Sequence, residues 1–134
     1  MIGILLVTHG QIGDALLASA GQILNGMPPQ TAAMGVSRID DPDILVPRAK
    51  RLLAKLDSGD GVLVLIDIFG ATPGNVASRL LENGRVEGVS GVSLPMLLRV
   101  LTGRNGSLPA AVQRALSGGA EGLVHMNTDR CWDA

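Results

Sequence analysis

Aromatic side chains are nearly missing from this 134-residue chain, which has one Phe, one Trp and no Tyr. Stacking platforms for single-stranded nucleic acid are therefore absent. Nor is there an excess of positive charge: 11 Lys and Arg stand against 12 Asp and Glu, for a net charge of −1. Nucleic-acid binding depends largely on phosphate neutralisation, so no nucleic-acid partner is expected. Cysteine is limited to Cys131, which excludes a disulfide framework and suits a cytoplasmic setting. With two histidines, His9 and His125, and one cysteine in no ligand spacing, no metal site is expected. The Gly-rich segments match neither the Walker pattern nor GxGxxG after a strand, which disfavours a nucleotide; no cofactor is expected. Long apolar runs are lacking too. Mean hydropathy is +0.34, yet Gly and charged residues interrupt every stretch before the roughly 18 apolar residues of a spanning helix. Met1–Val7 carries neither a basic leader nor a small-residue cleavage site, so no secretory signal is expected.

What is present is a regular alternation of buried strands and helices. The length suits one domain over 1–134 with its own hydrophobic core. Met1–Val7 and Val62–Asp67 are continuous apolar runs rich in β-branched residues, as in strands covered on both faces. Thr31–Val36 and Val86–Val92 read as weaker strands. Helical spacing follows at Leu16 to Leu24, Leu45 to Leu56, Val76 to Leu81, Leu94–Leu101 and Ala110 to Leu116. Start signals are Asp14, either Asp43, which puts Pro47 near the first turn, or Asp41, which would require a kink, then Thr72 with Pro73, Pro95, and Ser107; Gly118-Gly119 reads as the stop of the last helix. Glu121–Asn127 reads as a final strand and Thr128–Ala134 as a tail. The fold class expected is three-layer α/β: about four parallel strands with helices on both faces, to which the family resemblance below adds that the C-terminal strand is antiparallel.

The stretch Val62–Ala77, VLVLIDIFGATPGNVA, organises the rest: a buried strand, a carboxylate at Asp67, an elbow and a helix start. Ile2–Ile12 repeats the plan with His9 in place of the acid. If the two strands are parallel, both residues fall at the carboxyl edge of the sheet, where open α/β sheets place their ligands. An imidazole is a competent nucleophile near neutral pH. A carboxylate directly after VLVLI needs a hydrogen-bond donor, and an imidazole N–H is the natural one. That bond would fix the tautomer and leave the other ring nitrogen free to attack. Bland readings stand beside this one: a lone histidine is commonly structural, and Asp67 could cap a turn of its own loop. The Gly70–Asn75 loop adds a helix start with free N–H groups and the Thr72 hydroxyl, a weak anion site alone.

At these residues the chain resembles the enzyme IIA component of the mannose-type sugar phosphotransferase system. The matching pieces are VTHG at Val7–Gly10, LIDIFGATPGNVASRL at Leu65–Leu80 and GVSLPMLLRVL at Gly91–Leu101. The resemblance implies a phosphohistidine at His9, a hydrogen-bonded partner at Asp67, and phosphoryl contacts from Thr72 with Gly10, Gly70 and Ala71. It implies a phosphoryl carrier that accepts phosphate from the phosphocarrier HPr and gives it to a IIB component, touching the membrane IIC/IID pair only indirectly. It further implies a homodimer, with an antiparallel last strand exchanged between subunits in some members. No IIB domain follows in this sequence, so the acceptor is expected on another chain. Two residues depart from the family's Gly-Gly-Thr/Ser-Pro-Phe-Asn elbow: Ala71 replaces the second Gly, and Gly74 replaces the Phe, removing apolar area. Two other roles fit the same residues, a regulatory IIA-like phosphoprotein and a non-catalytic binding module for a phosphorylated small molecule.

Overall fold

The computed structural model describes residues 1–127. Its elements are β1 (Gly3–His9), α1 (Ile12–Ile23), β2 (Thr31–Val36), α2 (Pro42–Leu56), β3 (Val62–Ile66), α3 (Thr72–Ser78), β4 (Val86–Ser90), α4 (Leu94–Leu101) and α5 (Leu108–Glu121). The four strands form one sheet in the order β2-β1-β3-β4, and every pairing is parallel.

Strand alternation divides the core into two layers. Leu5 and Val7 of β1, with Val62, Val64 and Ile66 of β3, pack against α2 and α3. Ile4 and Leu6, with Leu63 and Leu65, face α1, α4 and α5. Because both faces are covered, β1 and β3 are apolar throughout, which is why they read as unbroken runs. The chain leaves β1 for β2 on one side and returns through α2 to β3 on the other. The order therefore reverses between β1 and β3, and loops diverge there to leave a crevice at the carboxyl ends.

Helix ends follow local chemistry, with several departures from the sequence expectations. Of the two candidates, Asp41 caps α2 by accepting from the Asp43 N–H at 2.9 Å, and Pro42 takes the first helical position. Pro47 consequently lies inside a helix that still runs unbroken to Leu56. The cap of α3 is Ala71, with Thr72 the first helical residue and no side-chain cap bond. Asp14 lies in the first turn of α1, whose cap position belongs to Gln11.

The C-terminal region differs most. Helix α5 passes through Gly118 and Gly119 to Glu121, and residues 122–127 form no strand. The glycines are there for packing: a Cβ at Gly118 would lie 2.7 Å from the Arg99 Cβ, so α4 and α5 touch where a larger residue would hold them apart. An antiparallel edge strand over Glu121–Asn127 is thus absent, and β4 ends the sheet among the described residues. The expected tail at 128–134 lies outside them.

Candidate active site

His9 is the last residue of β1 and Asp67 the first after β3, so the topology sets them side by side in the crevice. One carboxylate oxygen serves two donors. Asp67 Oδ2 accepts from the His9 backbone N–H at 3.0 Å and lies 2.9 Å from His9 Nδ1. Asp67 Oδ1 accepts from the Ile68 N–H at 3.0 Å. Asp67 thus meets His9 through one oxygen and the backbone of its own elbow through the other.

Burial raises the Asp67 pKa, but the hydrogen bonds from the His9 backbone and ring and from Ile68 outweigh it. The carboxyl is held below its usual range. An ionised carboxylate only accepts, so Nδ1 carries the proton and Nε2 presents its lone pair. The side chain of Asp67 is 14% exposed and that of His9 40%, so the orienting acid is sheltered while the ring reaches solvent. Among the described residues, no hydrogen-bond partner occupies Nε2.

Gly10 turns the chain after His9 with φ of +50°, a conformation other residues adopt at a cost, and its N–H donates to the Val36 carbonyl of β2 at 3.0 Å. His9 is thus bounded by β3 through Asp67 and by β2 through the next residue. Beyond Asp67 the elbow runs through Gly70, with φ of +93°, and Ala71 to Thr72 at the start of α3. That helix packs on β1 as well as β3. His125 lies in the irregular segment after α5, not in a strand.

Residues 3–116 match the EIIA-man model, described as PTS system fructose IIA component. The chain belongs to this family. It is 33% identical over 125 residues to the mannose-specific EIIAB component of Escherichia coli, covering 91% of this chain and 38% of that protein. It thus spans about two fifths of the length of that relative. With the fructose-specific EIIA component of Bacillus subtilis it shares 33% identity over 103 residues, 76% of this chain and 70% of that one. The EIIA crystal structure from Streptococcus agalactiae superposes with a TM-score of 0.84 at 25% identity, covering 96% of this chain and all of that one. At 22% identity, the mannose/sorbose-specific IIA subunit of Enterococcus faecalis shares the fold, with a TM-score of 0.80 over 92% of each chain.

Within this mannose-type EIIA fold two buried polar residues went unnoticed in the sequence. Thr8, 1% exposed, and Arg104, 5% exposed, are the only buried polar or charged residues among those described. Thr8 looked like the end of an apolar run. Arg104 sits in Gly103-Arg104-Asn105-Gly106, whose composition signals only a solvated turn. In the structure its guanidinium is drawn in at the opposite, amino end of the sheet. No helix among the described residues is long and apolar enough to cross a membrane.

Proposed function

We propose that this EIIA domain is a phosphoryl carrier in which His9 Nε2 takes a phosphoryl group from phospho-HPr and passes it to a IIB component. The observation that carries the reading is the bond between His9 Nδ1 and Asp67 Oδ2 at the β1/β3 crevice, with the second ring nitrogen open. In the forward step the P–N bond to the donor imidazole breaks as a P–N bond forms at Nε2. The proton on Nδ1 stays in place, and Asp67 balances the positive charge the ring acquires. Thr72, with the backbone N–H groups of Gly70 and Ala71, contacts the phosphoryl oxygens, while Gly10, whose own N–H is held by Val36, leaves room beside the ring for the group to approach, so that positioning and electrostatics lower the barrier.

The surroundings favour a protein donor over a small molecule. Ile12, Ile39, Ile68 and Phe69 are all exposed, and all lie on segments leaving the carboxyl ends of the strands. An apolar collar of this kind marks a protein-binding face. Ile68 and Phe69 also supply the elbow with the apolar area that Gly74 withholds. Dimerisation is favoured by the edge of β4, open among the described residues, and by Leu123, Val124 and Met126, which are exposed in the segment after α5; Leu123 and Ser90 line one groove. A second copy covers this edge.

Incubation with phosphoenolpyruvate, enzyme I and HPr, followed by mass measurement, tests the reading. Wild type should gain one phosphoryl group and His9→Ala none; equal labelling of both would refute it. Rapid discharge to a IIB protein supports transport, whereas a stable phosphoprotein supports a regulatory role. Thr72→Val should transfer more slowly at unchanged stability.

A further inference from the structure

We propose that Thr8 is a positioning residue for His9: its buried hydroxyl locks the first turn of α1 to β1 and thereby sets where the imidazole stands. This rests on the carrier reading for its kinetic consequence, though not for its geometry. Gln11 provides no side-chain cap for α1. Instead, Thr8 Oγ1 accepts from the Gly13 N–H at 2.8 Å, from the strand preceding the helix. Only His9, Gly10, Gln11 and Ile12 separate the two ends of this tie. Any movement of α1 away from the sheet is therefore taken up within the four residues that include His9.

The neighbouring contacts leave little freedom for such movement. A Cβ at Gly13 would lie 3.2 Å from both Thr8 Oγ1 and the Leu6 Cβ, and 3.3 Å from the Ala33 Cβ, so the helix start rests directly on the sheet. On the β2 side, a Cβ at Gly35 would fall 2.1 Å from the Gly10 carbonyl oxygen. The turn lies flat over Gly35 and is anchored by the Gly10 N–H on Val36. Strand alternation puts Thr8 on the α1 face and His9 on the α3 face of the same strand, so Thr8 acts from behind the sheet without touching a ligand. The backbone N–H and ring of His9 reach the same Asp67 oxygen, so displacing the turn strains both bonds together. Transfer geometry is sensitive to such displacements.

Thr8→Val keeps the side-chain shape and removes the acceptor, while Thr8→Ser keeps the hydroxyl. Phosphorylation is followed over a range of phospho-HPr concentrations, and the His9 Nδ1–H resonance by proton NMR. Thr8→Val should lose about tenfold in kcat at unchanged KM and broaden the Nδ1–H resonance through faster exchange, and Thr8→Ser should restore both. Wild-type kcat and an unchanged resonance in folded Thr8→Val would overturn the proposal and leave the hydroxyl a purely structural role. If Thr8→Val does not fold, hydrogen exchange on wild type decides. Protection of the Gly13 N–H to the level of the β1 amides supports the tie, and exchange as fast as a hydrated helix end refutes it. Resonance and exchange need no phosphoryl donor, so a wild type that HPr fails to label would refute the carrier function separately.

Discussion

The two ends of the sheet each hold one sheltered polar cluster, and they are built on opposite lines. At the amino end, Arg104 is buried without a carboxylate. Its Nε and Nη2 donate to the Ile2 carbonyl at 3.0 and 2.7 Å, Nη2 also to Gln30 at 2.9 Å, and Nη1 to the Pro29 carbonyl. Those carbonyls precede β1 and β2, so one side chain gathers the starts of two strands, and Arg104 returns its own carbonyl to the Ile2 N–H. At the carboxyl end, His9 spends one nitrogen on Asp67 and leaves the other toward solvent. A cation whose donors are turned onto backbone holds structure; a ring half engaged and half open keeps one nitrogen free for a partner. The amino end is closed on itself, and the carboxyl end is the one open to a ligand, where open α/β sheets place their sites.

Breaking the amino end should cost the most. Arg104→Met removes the donors of a buried carbonyl cluster and is expected to destabilise the fold by about 3 kcal/mol, read as a lower denaturant midpoint, with kcat of the folded fraction preserved. The converse experiment acts on the carboxyl end. Asp67→Asn removes a charge-assisted bond to the imidazole, worth about 2 kcal/mol, or roughly 30-fold in transfer rate, and the rate should fall further than the stability. Equal kinetics for Asp67→Asn and wild type would reject the orienting role.

Acid sharpens the contrast. The folded Asp67 pKa is depressed, so the unfolded chain binds the extra proton first as pH falls. The stabilisation is complete above the ordinary carboxylate value of about 3.9 and is lost as pH drops through the lower folded value. Asp57 behaves likewise, its carboxyl lowered by the Gly59 N–H, against the opposing effect of burial, and by the Gly61 N–H and Arg85. Denaturation titrations below pH 5 should therefore be flatter for Asp67→Asn and for Asp57→Asn than for wild type, while Arg104→Met keeps the wild-type slope.

The smallest effect is expected at the elbow. A Cβ at Gly74 would meet the Ile68 carbonyl at 3.5 Å, an ordinary contact, so nothing steric demands glycine there. Gly74→Ala should raise stability by about 0.5 to 1 kcal/mol through helix propensity, without changing labelling of His9. A loss of labelling would show that the open space beside Phe69 is used by the donor.

The strands that were easiest to read are those whose two faces are buried. Val62–Ile66 has no polar position, and its apolar run ends where the hydrogen-bonded ladder ends. That His9 and Asp67 fall at one edge of the sheet was legible for the same reason, as polar residues closing apolar runs. The last segment was misread because Gly118-Gly119 stops a helix in an isolated chain but admits close packing of one helix on another. Thr72 was misread as a cap because a Ser/Thr-Pro pair is a good helix start in general, whereas here Ala71 takes the cap position.

By itself, the order of residues determined the alternation of strands and helices, the two-sided burial of the sheet and the placing of an imidazole and an acid each at the end of an apolar run. These are properties of local hydrophobic periodicity and of single residues placed where it stops. Tertiary structure alone decided that β1 and β3 are neighbours at a reversal of strand order, that Thr8 caps a helix from within a strand, and that Arg104 turns inward. Each of those depends on which distant backbone atoms come within hydrogen-bond reach, and short-range sequence pattern carries no information about such distances.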